Sequence, residues 1–163
     1  MEFKQSKTIG TSIKQVPAQV KKVDWSAHVD QSVLDYGAGR YPRLVNKYLE
    51  ENNIIGAVSY DPYNPDISTL VKKEFDVILC SNVLNVIASD DMLEMVLKDI
   101  SDHLTEDGVA YIQVYVGDQS GESRETPRGW QRHAAPVEYV DLLQAVFSQV
   151  KVSGNRFICQ KSK

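Results

Sequence analysis

The residues with the clearest chemical potential stand together as Asp35-Tyr36-Gly37-Ala38-Gly39, an acid and two glycines closing the apolar run Ser32 to Tyr36. Glycines remove the side chains that would keep a ligand off the backbone, and a carboxylate at a strand end accepts hydrogen bonds from an ammonium or a hydroxyl. Asp61 ends the next apolar run, at the spacing where an acid holds a ribose diol. Two acids on adjacent strand ends point to a nucleoside-bearing ligand. The dinucleotide fingerprint GxGxxG needs glycine where this chain has Pro42, which disfavours NAD. No GxxxxGK[ST] loop is present, so triphosphate hydrolysis has no footing either.

These residues need a scaffold, and apolar runs alternating with amphipathic stretches predict βαβ units around a mainly parallel sheet. The expected strands are Ser32 to Tyr36, Ile54 to Tyr60, Phe75 to Ser81 and Val109 to Val116. Between them fall a helix over Tyr41 to Asn52, with Pro42 in its first turn, and one opened by Ser89. The second helix carries the stripe Met92, Leu93, Val96, Leu97, Ile100 and Leu104, and Glu106-Asp107-Gly108 is expected as a turn. Residues 117–136 read as a long polar loop, Val137 to Phe147 as the last helix, and the flanks of Ser153-Gly154-Asn155 as an antiparallel pair.

Taken in this order, the motifs resemble the class I S-adenosylmethionine-dependent methyltransferases from Val33 to the end of the chain. The glycine motif of that family matches Asp35-Tyr36-Gly37-Ala38-Gly39, its ribose acid matches Asp61, and its fourth-strand segment matches Phe75 to Ile87. The resemblance implies a Rossmann-like three-layer α/β sandwich with a C-terminal antiparallel strand pair. S-adenosylmethionine is the implied cofactor and S-adenosylhomocysteine its product. Asp35, Tyr36, Gly37, Ala38, Gly39, Asp61, Pro62, Ser81 and Asn82 would bind the cofactor, Asn82 near the reacting sulfonium. The 13 residues between Asp61 and Phe75 are too few for the family's usual helix and strand, so the third unit is expected to be shortened or lost. Neither the Asn/Asp-Pro-Pro-Tyr tetrad nor the Pro-Cys nucleophile of base-methylating DNA enzymes is present: the fourth-strand segment ends Ser81-Asn82-Val83-Leu84, and Leu79 precedes Cys80.

The acceptor must be read from the long loop. Trp130-Gln131-Arg132-His133 combines a stacking surface with hydrogen-bonding groups, and with Asn85 supplies the substrate-binding candidates Asn85, Trp130, Gln131 and Arg132. His133 is the candidate base, and it shares the catalytic assignment with Asn82. His28 and His103 read as structural or solvated, and Trp25 as a packing anchor.

Composition narrows the classes. With 163 residues, 42% hydrophobic and 25% charged, the chain suits one globular domain. Residues 1–30 are expected as a basic arm packed on a single domain over 31–163, since residues 1–22 carry +4 of a net −4. Cys80 and Cys159 stand 79 positions apart without a CxxC or histidine partner, so no metal site or disulfide framework is expected. A reducing cytoplasmic compartment follows, with no signal peptide and no membrane partner. The length leaves no room for a target-recognition domain, so sequence-specific DNA binding alone is disfavoured. The expected activity is methyl transfer to a small-molecule or nucleotide-like acceptor. The alternative is a non-catalytic cofactor-binding subunit acting through a protein partner.

Overall fold

A computed structural model of the chain describes residues 13–71, 74–118, 120–126 and 129–161. The first twelve residues of the expected arm and Arg128 of the loop lie outside the described residues. The elements in chain order are α1 (Ala18–Lys22), β1 (Val33–Tyr36), α2 (Pro42–Glu51), β2 (Val58–Tyr60), β3 (Phe75–Ser81), α3 (Asp90–Asp102) and β4 (Leu104–Gln113). They continue with β5 (Arg124–Thr126), β6 (Gly129–Gln131), α4 (Val140–Gln144), β7 (Gln149–Ser153) and β8 (Arg156–Gln160). Six strands form one sheet in the order β2-β1-β3-β4-β8-β7, while β5 and β6 form a separate hairpin. β2, β1, β3 and β4 are parallel; β8 runs antiparallel to both β4 and β7. This is the expected α/β fold with its C-terminal antiparallel pair.

Alternation along the strands builds three layers. Leu34, Tyr36, Ile78, Cys80, Ala110 and Ile112 pack toward Leu93, Val96, Leu97 and Ile100 of α3 and Leu143 of α4. Val33, Val77 and Leu79 face the opposite way, toward Val45 and Leu49 of α2 and toward Val20, Val23 and Trp25. The Trp25 ring is buried and its Nε1 donates to the Val20 carbonyl at 2.7 Å, fixing the segment after α1 on this face. His28 bridges Gln31 and Tyr111, and His103 Nδ1 meets the Asp99 carbonyl, so both serve structure.

Local signals explain the helix ends. Pro42 occupies the first turn of α2, and Asn52 caps it with Nδ2 donating to the Tyr48 carbonyl at 2.8 Å. Ser89 Oγ accepts from Met92 N at the start of α3, and Asp90 and Asp91 suit the positive end of the helix dipole.

The structure differs from the sequence expectation at several boundaries. The second strand is only Val58–Tyr60, after Gly56 at φ +80°. Leu104 does not complete the stripe of α3: the helix stops at Asp102, and Leu104 opens β4 opposite Phe75. Glu106, Asp107 and Gly108 are not a turn but belong to β4, where pairing shifts from Phe75↔Leu104 to Val77↔Val109 as a bulge. The last helix is a 3-10 turn, Pro136–Tyr139, running into the short α4. No helix or strand occurs among the described residues between β2 and β3, leaving β2 at the sheet edge. The third unit is absent there.

Candidate functional site

The glycine turn after β1 is tied to the end of β2. Gly37 (φ +76°) and Gly39 (φ +73°) take the left-handed conformation that glycine adopts without strain. Gly37 N and Ala38 N both donate to the Tyr60 carbonyl, at 2.7 and 2.9 Å. Gly39 N donates to Asp61 Oδ2 at 2.8 Å, Tyr63 N to Asp61 Oδ1 at 2.9 Å, and Asn64 Nδ2 to the Gly39 carbonyl at 2.9 Å. A Cβ on Gly37 would run into the Val83 side chain. The turn is thereby closed between β2 and the segment after β3.

Asp35 is only 4% exposed. It makes no side-chain hydrogen bond among the described residues, and burial, with the Asp61 charge adding to it, pushes its carboxyl up to about 7. Asp61 is also raised by burial, against which the Tyr63 and Gly39 amides work. A buried acid beside a second acid is offset by a bound proton or by a cation. Tyr36 directs its phenol to Asp99 of α3 at 2.6 Å, so it serves the turn through its backbone.

After β3, Asn82 adopts φ +59°. Its N donates to the Gln113 carbonyl at 2.8 Å and its Oδ1 accepts from Gln113 Nε2 at 3.0 Å. Gln113 Oε1 in turn accepts from the backbone of Gln19 at 2.7 Å, and Gln19 Nε2 donates to Ser81 Oγ at 2.7 Å. Gln19 is fully buried. Sequence reasoning missed both glutamines; the available signal was a polar residue inside an apolar stripe, Val16 to Val23, and another at a strand end.

A cavity of about 500 Å³ joins these parts. Its wall includes Asp35, Gly37, Gly39, Asp61, Pro62, Ser81, Asn82, Asn85, Gln131 and Tyr115, closed by Ile13, Gln15, Pro17 and Ala18 before and within α1. Tyr36 and Ala38 also contribute to it. Asn85 and Gln131 meet because β6 folds back beside the turn after β3, with Arg132 N donating to the Asn85 carbonyl at 2.7 Å.

Three of the loop candidates do not reach the cavity wall. Trp130 neighbours Gln131 on β6, and alternation turns it to the opposite face. Arg132 is held by the Ile87 and Ala88 carbonyls at 2.7 and 3.0 Å and by Asp90 at 2.9 Å. His133 is buried against Gly117, with Nδ1 accepting from Asp118 N at 3.1 Å. Among the described residues, no lysine, arginine or histidine lines the cavity. No group of three or more His, Cys, Asp or Glu residues is placed to hold a metal ion among those residues, and no helix is long and apolar enough to cross a membrane.

No protein-family model and no curated protein matches the sequence. Solved structures do match. The Burkholderia thailandensis 1,6-didemethyltoxoflavin-N1-methyltransferase, solved with 1,6-didemethyltoxoflavin and S-adenosylhomocysteine, is 18% identical with a TM-score of 0.71, over 97% of this chain and 80% of that one. Human N-acetylserotonin methyltransferase with S-adenosylmethionine is 12% identical at TM-score 0.63, over 88% of this chain and 50% of that one. The O-methyltransferase NcsB1 from neocarzinostatin biosynthesis, with S-adenosylhomocysteine and 1,4-dihydroxy-2-naphthoic acid, is 15% identical at TM-score 0.62, over 86% and 51%. The chain spans about half the length of the latter two. At these identities the likeness establishes a shared fold.

Proposed function

We propose that this chain is an S-adenosylmethionine-dependent methyltransferase of class I acting on a small-molecule acceptor. The observation that carries the reading is Asp35, a buried acid without a donor among the described residues, sharing one cavity with Asp61 and two left-handed glycines. An amino acid's ammonium suits Asp35, and Asp61 retains lone pairs for ribose hydroxyls beyond the two it offers to backbone amides. Gly39 keeps the backbone open to the ligand, Gly37 makes room for Val83 beneath it, and Pro62, Ser81 and Asn82 complete the wall.

S-adenosylmethionine supplies a methyl group on positively charged sulfur. The chain's own contribution is positioning and exclusion of water. Asn82, fixed by Gln113, sets the floor where cofactor and acceptor ends of the cavity meet. Asn85 and Gln131 line the acceptor end, and the acceptor's proton passes to solvent because no histidine or lysine faces it among the described residues. In this reading His133 and Arg132 shape the loop, and Trp130 packs behind it.

Calorimetric titration with S-adenosylmethionine and S-adenosylhomocysteine, with NAD as control, tests the proposal. Binding of the adenosyl ligands with none of NAD is the expected result. Absence of adenosyl binding to the folded protein would refute it.

A further inference from the structure

The acceptor end of the cavity holds two carboxamides whose orientation is fixed by the backbone. Asn85 is 2% exposed and its Oδ1 accepts from Tyr115 N at 3.2 Å, which leaves the Nδ2 amide without a partner among the described residues. Gln131 has the reverse arrangement: Nε2 donates to the Arg132 carbonyl at 3.1 Å, leaving Oε1 without a partner among the described residues. Both residues line the cavity. A fixed donor and a fixed acceptor lining one cavity are complementary to a group that presents an acceptor and a donor along one edge.

We propose that Asn85 and Gln131 read the edge of a cyclic amide, a ring carbonyl next to a ring N–H, in an uncharged planar heterocycle. This rests on the methyltransferase reading for the placement of the cofactor at the Asp35–Asp61 end. The ring carbonyl accepts from Asn85 Nδ2, and the ring N–H donates to Gln131 Oε1. Val83, Val86 and Ile87 line the same cavity with apolar surface suited to a flat ring. Charge selects further. The described wall offers Asp35 and Asp61 but no cation, so a carboxylate or phosphate on the acceptor would be desolvated without a partner. The recognised unit is thus a nucleobase-like ring.

The site's need for a buried donor at Asn85 makes the discrimination steep. A site built to pair a polar edge rejects an analogue that lacks it, because the site's own groups are then left unpaired. Asn85→Asp, read at a pH where the new carboxyl is ionised, isolates this feature: one carboxylate oxygen still takes the Tyr115 N–H, while the donor toward the cavity becomes an acceptor.

The experiment is calorimetry on protein saturated with S-adenosylhomocysteine, using quinazoline-2,4-dione, its 1,3-dimethyl derivative and a carboxylated quinazolinedione as probes. The parent dione is expected to bind, with methylation of both nitrogens, addition of the carboxylate or Asn85→Asp each weakening it at least about tenfold. S-adenosylhomocysteine affinity should be unchanged in Asn85→Asp. Equal binding of the blocked or anionic probe, an Asn85→Asp protein that keeps full affinity for the dione, or no binding of the dione to the loaded wild type would each overturn the proposal. If S-adenosylhomocysteine itself does not bind, the cofactor reading has failed separately. The same probe comparison on the unloaded protein then decides this one by the same criteria.

Discussion

Gly39 and Asp61, 22 residues apart, are joined by a 2.8 Å hydrogen bond from the glycine amide to the carboxylate that ends β2. One side chain therefore braces the glycine turn and faces the cavity, so the proposed ribose contact would be coupled to turn geometry. Asp61→Ala should weaken S-adenosylmethionine binding by about 1.5–3 kcal/mol, the loss of charge-assisted hydrogen bonds. Asn64→Ala removes a different brace, the 2.9 Å bond to the Gly39 carbonyl, without touching the acid. Its effect on affinity should be smaller. Calorimetry on both variants separates the contributions; equal losses would mean that Asp61 acts only by holding the turn.

Asp35 gives the site a pH dependence with a definite sign. Burial, then the Asp61 charge, hold its carboxyl near 7 in the folded chain, whereas an unfolded aspartate titrates at about 3.9. Between these values the folded state carries the extra proton. Asp35's contribution to the stability of the ligand-free protein is therefore greatest below about pH 4, falls as pH rises toward 7 and levels off beyond. Ligand binding shows the opposite trend, because an ammonium pairs with the ionised form: affinity should climb up to about pH 7 and then flatten. Asp35→Asn should flatten both slopes, leaving what Asp61, also raised by burial, contributes. Chemical denaturation and calorimetry between pH 5 and pH 8 provide the check, and a variant that keeps the wild-type affinity profile would assign the titration to another group.

Where the sequence could be read, the reason was local. β3 matches its expected bounds because seven mostly apolar residues admit little but a central strand. Ser89 followed by two aspartates marks the start of α3 by capping chemistry alone. Leu104 misled because it lies four positions after Ile100, in phase with the helix, yet its partner is Phe75 across the sheet. Gln19 and Gln113 were missed: a polar residue in an apolar stripe and another at a strand end are local signals, but nothing local pairs them across 94 positions. In the candidate site, Asp35, Gly37 and Asp61 were legible through strand ends and glycines. The loop resisted, because the β5–β6 hairpin decides that Gln131 faces the cavity while Trp130, Arg132 and His133 do not.

Gly37 is constrained twice, by φ +76° and by the Val83 side chain over its Cα. Gly37→Ala should lower stability by about 1–3 kcal/mol, from left-handed strain and overpacking together. Val83→Ala in the same chain relieves only the packing part. Urea denaturation of the single and double variants should thus show partial recovery. Full recovery would place the whole cost in packing, and none would place it in the backbone.

Arg132 distinguishes a loop anchor from an acceptor ligand. Its guanidinium caps the Ile87 and Ala88 carbonyls and reaches Asp90, whose side chain is 71% exposed. Those carbonyls belong to the segment between Asn85 and α3, so the contacts hold this side of the cavity against β6. Arg132→Ala leaves them without their charged donor and should cost about 1–2 kcal/mol in urea denaturation. The exposed ion pair contributes little, so Asp90→Ala should stay within about 0.5 kcal/mol of wild type. Affinity for S-adenosylhomocysteine should change in neither. Full stability in Arg132→Ala together with selective loss of acceptor use would return Arg132 to the substrate-binding role that its sequence context first indicated.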